Sequence, residues 1–177
     1  MPDVDIRLLE ARHVQPIAAA FAAIGWDKPA SQYERYLTEQ QRGDRVVLVA
    51  FLDGAFAGYL TIAWQSGYAP FREAGIPEIV DFNVLPRFRQ RGTGSRLMDE
   101  AEQRIAERSP VVGIGVGMDP DYGAAQRLYV KRGYVPDGRG LSSNGRHVRW
   151  GETVRVDDGL NLHFTKDLGR TGVSPPE

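Results

Sequence analysis

The elements legible in the chain are a β-hairpin followed by strand, helix, strand, helix and strand, an order that predicts an α/β domain with a mixed sheet. Three features carry the reading. An apolar run, Arg45–Leu52, is answered across Asp53-Gly54 by a second one from Phe56 to Trp64. Asp-Gly is a strong hairpin signal because both turn positions want positive φ. A strand-type run, Glu78–Val84, is ended by Pro86, and beyond it strand-type and helix-period segments alternate.

Ahead of the hairpin, Ile6-Arg7-Leu8 reads as a short strand. Val14, Ile17, Ala18, Phe21 and Ile24 then recur at helical spacing. A second helix opens near Pro29 or Ser31, with Tyr33, Tyr36 and Leu37 on one face. Residues 65–77 read as a Gly- and Pro-containing loop. Residues 94–107 form a helix with Leu97, Met98, Ala101 and Ile105 inward, Val111–Gly117 a strand, and 123–132 a helix capped by Gly133. Residues 160–166 are the last strand. The tail from 169 to 177, with two prolines, is expected to be disordered, and no repeat or linker divides residues 1–168, which read as one domain.

Composition excludes several function classes. With 42% hydrophobic and 25% charged residues the chain is of the soluble globular type. Twenty-two basic against twenty-three acidic residues leave a net charge of −1, without the basic excess that nucleic-acid binding requires. There are no cysteines, hence no disulfide, thiolate metal site or cysteine nucleophile. His13, His147 and His163 are scattered singly, so no metal is expected. A serine-hydrolase elbow is lacking too. The opening residues lack a signal-peptide pattern and no apolar run reaches the roughly 18 residues of a membrane span, which makes the cytoplasm the expected location.

The segment Arg89-Gln90-Arg91-Gly92-Thr93-Gly94-Ser95 stands between a strand and a helix. Unpaired N–H groups at a helix start, with the helix dipole behind them, favour a phosphate. Glycines let a ligand approach the backbone, and Arg87, Arg89 and Arg91 add positive charge. Taken alone, such a loop is as readily a plain turn with a solvated basic cluster. A P-loop is excluded by the missing Gly-Lys-Ser/Thr. A dinucleotide fingerprint is disfavoured because Leu97 stands at the third glycine, and Val111 and Val112 where an acid belongs.

With Arg89-x-x-Gly92-x-Gly94 opening a helix after a strand and a proline, and Leu128-Tyr129-Val130-Lys131-Arg132-Gly133-Tyr134 about 35 residues later, the chain resembles the GNAT N-acetyltransferases over about residues 45–168. Gly58 in the hairpin strand is also typical of that family. The resemblance implies a mostly antiparallel central sheet flanked by helices and acetyl-CoA as co-substrate. Its pyrophosphate would be gripped by Arg89, Gln90, Arg91, Gly92, Thr93, Gly94 and Ser95, with Phe82 and Val84 along the central strand. One position departs. Seven residues before Tyr129 the family often has an asparagine on the pantetheine arm, and here Tyr122 stands there.

The implied reaction is attack of a neutral primary amine on the thioester. Alignment of the reactants can contribute up to about 7–11 kcal/mol. In histone-type members a glutamate eleven residues before the signature arginine is the base, which falls on Glu78. Asp81, on the other strand face, and a water relay are the alternatives, and a strand-end surface carboxylate is the plain structural reading of Glu78. The Val84 backbone N–H would stabilise the oxyanion. Tyr129 would protonate the departing thiolate, its plain reading being a core aromatic. The long stretch 136–158, with Asp137, Trp150, Glu152, Asp157 and Asp158, reads as an acceptor-lining loop or a lengthened hairpin. The expected partners are acetyl-CoA and an amine, of a small molecule or a protein, with the enzyme a monomer or homodimer and no nucleic-acid or membrane partner. The competing functions are a catalytically silent acyl-CoA-binding module and a non-CoA nucleotide binder.

Overall fold

The structure is a computed structural model that describes residues 3–169. All but the first residue of the proposed tail therefore lies outside the described residues. The fold is mixed α/β, with eight strands and five α-helices among the described residues, the sheet mostly antiparallel. Two compact units are formed among the described residues, 3–64 with 79–104, and 65–78 with 105–169.

In the first unit, strands β1 (Val4–Leu8), β2 (Arg45–Leu52), β3 (Ala55–Ala63) and β4 (Glu78–Val84) are neighbours in that order. The β2–β3 hairpin forms as expected, with Asp53 at φ +52° and Gly54 at φ +78°. Helices α1 (Ala11–Ala22) and α2 (Ala30–Arg42) bury Val14, Ile17, Phe21, Tyr33 and Tyr36. Gly43, at φ +82°, ends α2 in the left-handed region. Gly58 is required by a close approach of strands. A Cβ there would clash with the Asn83 carbonyl oxygen and lie 3.0 Å from Val84 Cα. Helix α4 (Thr93–Ala106) buries Leu97, Met98, Ala101 and Ile105, the face its periodicity indicates.

In the second unit the strand order is β5 (Val111–Gly117), β8 (Leu160–Asp167), β6 (Val135–Ser143), β7 (Arg146–His147), all antiparallel pairs. Helices α3 (Ala69–Ala74) and α5 (Gly123–Lys131) complete it. One expectation is corrected here, and of the two readings of 136–158 the lengthened hairpin is the one that forms. Residues 65–77 are not all loop, because Pro70 sits in the first turn of α3 and Gly75, at φ +67°, closes it. The stretch from 136 begins as strand β6, paired to β8 with a shift of register between Pro136 and Leu141. Gly138 and Gly140, both at positive φ, break the strand pattern locally, and only the ladder to β8 reveals it.

The glycines of β5 alternate with Val112, Ile114 and Val116, which are buried. Side chains cover the glycine face in turn. A Cβ on Gly113 would clash with the Phe71 ring, one on Gly117 with the Tyr122 ring, and one on Gly115 would lie 3.0 Å from His163 Nε2. No helix among the described residues is long and apolar enough to cross a membrane. None of them forms a group of three or more His, Asp or Glu that could hold a metal ion.

Candidate functional site

The loop between β4 and α4 presents unpaired backbone amides beside basic side chains. Gln90 (φ +57°) and Gly92 (φ +85°) turn the chain through the left-handed region, and the Gly92 carbonyl accepts from Arg96 N at 3.0 Å to start the helix. The first N–H groups of α4 are therefore left without helical partners, in a field that favours negative charge. Gly92, Ser95 and the arginines 87, 89, 91 and 96 are exposed. Arg89 also braces the loop: its Nε donates to the Val84 carbonyl at 3.1 Å. Arg91 lies 3.7 Å from Asp53.

Thr93 is 1% exposed, and its Oγ1 is buried without a hydrogen-bond partner. An orphaned hydroxyl costs about 1–3 kcal/mol unless a ligand satisfies it. Gly94 lies against β4, where a Cβ would meet Phe82 Cζ at 3.2 Å and Val84 Cγ2 at 3.7 Å. Phe82, Val84, Gly94 and the Arg89–Ser95 loop are thus brought together. Their amides, hydroxyl and guanidinium groups fit a diphosphate such as that of acetyl-CoA.

Strand β4 does not alternate uniformly. Asp81 has φ +54°, so the regular two-residue face expected for Glu78, Val80, Phe82 and Val84 is interrupted in mid-strand. Asp81 is held by five donors: Lys28 Nζ, Gln32 Nε2 and Asn83 Nδ2 at 2.8 Å, Tyr36 OH at 2.9 Å and Tyr59 OH at 2.5 Å. Burial pushes its carboxyl upward, but the Lys28 charge and the hydrogen bonds of Lys28, Tyr59 and Tyr36 prevail and hold it below the usual range. Asp81 is thus a paired carboxylate whose five partners are all donors. Lys28 and Gln32 carry no sequence signal for this, because their partner is fixed by tertiary packing.

Glu78 lies in the second unit and is not the surface carboxylate of its plain reading, being 5% exposed. Its Oε2 accepts from the Ser66 hydroxyl, and Oε1 is 3.8 Å from His163 Nε2. Ser66 and His163 were not singled out by sequence, since a lone serine and a lone histidine have no spacing to read. Tyr129 faces inward from α5 at 4% exposure, 5.9 Å in ring centroids from Tyr134. Burial pushes its phenol upward, with the neighbouring Tyr122 acting the same way, so the hydroxyl is protonated at neutral pH. Tyr122 packs its ring on Gly117 and donates to Asp158 Oδ1 at 2.8 Å.

Comparisons with known proteins agree with this fold. The structure of a GNAT-family acetyltransferase from Streptococcus pneumoniae is similar at TM-score 0.67 and 20% identity, covering 94% of this chain and 100% of that one. YncA from Salmonella typhimurium, solved with its cofactor acetyl-CoA, is similar at TM-score 0.65 and 18% identity, with 96% of each chain covered. RimL, a ribosomal L7/L12 α-N-protein acetyltransferase, aligns at TM-score 0.69 and 13% identity over 93% of this chain and 90% of its own. Comparison with curated protein sequences gives no match. The model of the acetyltransferase (GNAT) family matches residues 13–134, more than half of the sequence, and the chain belongs to that family.

Proposed function

We propose that this acetyltransferase moves the acetyl group of acetyl-CoA to a primary amine by direct attack on the thioester. The observation that carries the reading is the anion-binding loop at the start of α4, with the orphaned Thr93 hydroxyl inside it. Arg89, Gln90, Arg91, Gly92, Thr93, Gly94 and Ser95 hold the pyrophosphate, and Phe82 and Val84 line the central strand beside it. The Val84 N–H takes the oxyanion. Glu78, directly or through one water, accepts the amine proton, and Tyr129 protonates the departing thiolate. The full occupation of Asp81 favours Glu78 over it. The acceptor is a small-molecule amine or a protein amine, and the likeness to RimL makes a protein α-amine one arm of the test. A panel of amines assayed by free-thiol release identifies it. Thiol release with no amine in the panel above background would favour the catalytically silent acyl-CoA-binding reading.

Gly92→Glu is expected to abolish acetyl-CoA binding in calorimetry while thermal unfolding shows a folded protein. Gly92 is exposed, with no heavy atom within 4 Å of a Cβ, but at φ +85° any side chain strains the loop. Gly92→Ala carries that strain without the charge, and the difference between the two variants is the repulsion of phosphate. Parent affinity in Gly92→Glu would remove the loop from the binding site.

Glu78→Gln is expected to lower kcat/KM by about 10²-fold or more, the usual worth of a general base, with little change in acetyl-CoA affinity. Gln still accepts from Ser66 but cannot take a proton. A parent-like rate would transfer the role to a water relay.

A further inference from the structure

The second unit contains a buried acid–base cluster that acetyl transfer does not require for packing alone. Glu78 and His163 are both buried, at 5% and 6% exposure, and Gly115 lets them meet over β5, where no side chain intervenes. The imidazole is fixed on every side. It stacks on Tyr68 with centroids 3.6 Å apart and planes within 2°, and the edge of Phe71 lies across it at 5.5 Å. Its Nδ1 is 3.4 Å from Ser142 Oγ and its Nε2 is 3.8 Å from Glu78 Oε1. Ser66 binds the other carboxylate oxygen and itself accepts from Tyr68 N at 2.9 Å. The tautomer with Nδ1–H toward Ser142 leaves the Nε2 lone pair on the side of Glu78.

We propose that His163 is a second seat for the proton that Glu78 takes up, a positioning and proton-holding residue that acts through Glu78. The proposal rests on Glu78 as the base. A primary amine arrives mostly as R–NH3⁺ at neutral pH, because its ordinary pKa is about 10 for an alkylamine and about 8 for a protein α-amine. It must shed one proton before attack and another as the amide forms, yet one carboxylate holds one proton. In the first step an N–H bond breaks and an O–H bond forms on Glu78. In the second, once Glu78 Oε1 closes from 3.8 Å to hydrogen-bond reach of His163 Nε2, the O–H bond breaks, an N–H bond forms at Nε2, and the carboxylate is regenerated for the next proton. Nothing is oxidised or reduced: after turnover the second proton leaves Glu78 and Tyr129 recovers one by way of solvent, and the proton on His163 then returns to water through Glu78.

The surroundings suit a seat that is vacant at rest. Burial holds His163 below its ordinary value, and the charge of Asp137 opposes that only in part. Other charged or titratable groups stand around the cluster. From β6, Asp137 accepts from Tyr68 OH at 3.0 Å, and Arg139 opposes Asp137 in its effect on that phenol. From α3, Arg72 donates to the Ser66 carbonyl at 3.1 Å. Once protonated, the imidazolium would be paired with the Glu78 carboxylate, which offsets its desolvation.

The test combines kinetics with NMR on the full chain. His163→Gln is expected to move the acid limb of kcat/KM down by about one pH unit or more, because a carboxylate alone binds a proton less tightly than a carboxylate–imidazole pair. The plateau kcat should fall about tenfold with acetyl-CoA affinity unchanged. If His163→Gln does not fold, the ring-nitrogen titration of His163 decides, compared between parent and Glu78→Gln. The expected result is a lower His163 pKa in Glu78→Gln, and an unchanged titration overturns the proposal. A parent-like acid limb and kcat in His163→Gln, alongside a large loss in Glu78→Gln, overturns the second seat alone. A parent-like rate in Glu78→Gln overturns the base assignment and the proposal with it.

Discussion

Tyr129→Phe is expected to lower kcat by about 10²- to 10⁴-fold while the acetyl-CoA dissociation constant and the melting temperature stay close to the parent values. The ring stays, so the contact with Tyr134 and the burial of α5 are kept. Only the hydroxyl is lost. A thiolate leaving group needs a proton or a strong hydrogen bond, and a phenol is a donor only while protonated. Burial pushes the Tyr129 phenol above its ordinary value, so the donor form persists through neutral and mildly alkaline pH. Tyr122 adds to that direction and stays neutral itself, its phenol pushed up to about 12 by burial and by its bond to Asp158. Stopped-flow thiol release and acetyl-CoA titration together check the prediction. An unchanged kcat would make Tyr129 a core aromatic and nothing more.

The second large effect is on stability. Asp81→Ala is expected to destabilise the protein by about 3 kcal/mol, near the lower end of the range for breaking a buried pair. Lys28 would lose its counter-ion, though its side chain is 18% exposed and can turn partly to water. Tyr36, Tyr59, Gln32 and Asn83 would each lose an acceptor as well. In a chain of this length such a loss lowers Tm by roughly 6–12 °C. The pH dependence has a definite sign. The folded-state pKa of Asp81 is depressed, so its contribution is fully present above the unfolded value of about 3.9 and disappears as pH falls through the folded value. Parent and Asp81→Ala should therefore converge in stability at strongly acidic pH. Urea unfolding with pH checks this, and a double mutant with Lys28→Met should regain part of the loss, since it removes the stranded ammonium. A parent-like midpoint at neutral pH would deny the network any net worth.

Much of the architecture was legible because it is encoded locally. Arg45–Leu52 and Val111–Gly117 are apolar runs and Glu78–Val84 is a strand-type run ended by Pro86, and each is a strand with those bounds. Asp53-Gly54 specifies its turn through two positive-φ positions, and the helical face of Leu97, Met98, Ala101 and Ile105 follows from a 3.6-residue period. Strand β6 escaped because Pro136, Gly138 and Gly140 deny it a strand pattern. Its identity comes from β8, which supplies the partner backbone. Helix α3 escaped because six residues are too few for a period to show.

The candidate site divides along the same line. The sequence by itself determined the basic, glycine-containing loop at the start of α4, since consecutive amides at a helix start converge whatever surrounds them, and the residues from Arg89 to Ser95 supply both that geometry and its charge. It also determined the family, through two motifs in order along one chain. Only the tertiary structure decided that Asp81 is neutralised by Lys28 and that Glu78 is buried against Ser66 and His163. The same holds for Tyr122, which is committed to Gly117 and Asp158. These outcomes depend on burial and on partners far apart in sequence. Desolvation and ion pairing act through distance in space, which residue spacing along a chain does not record.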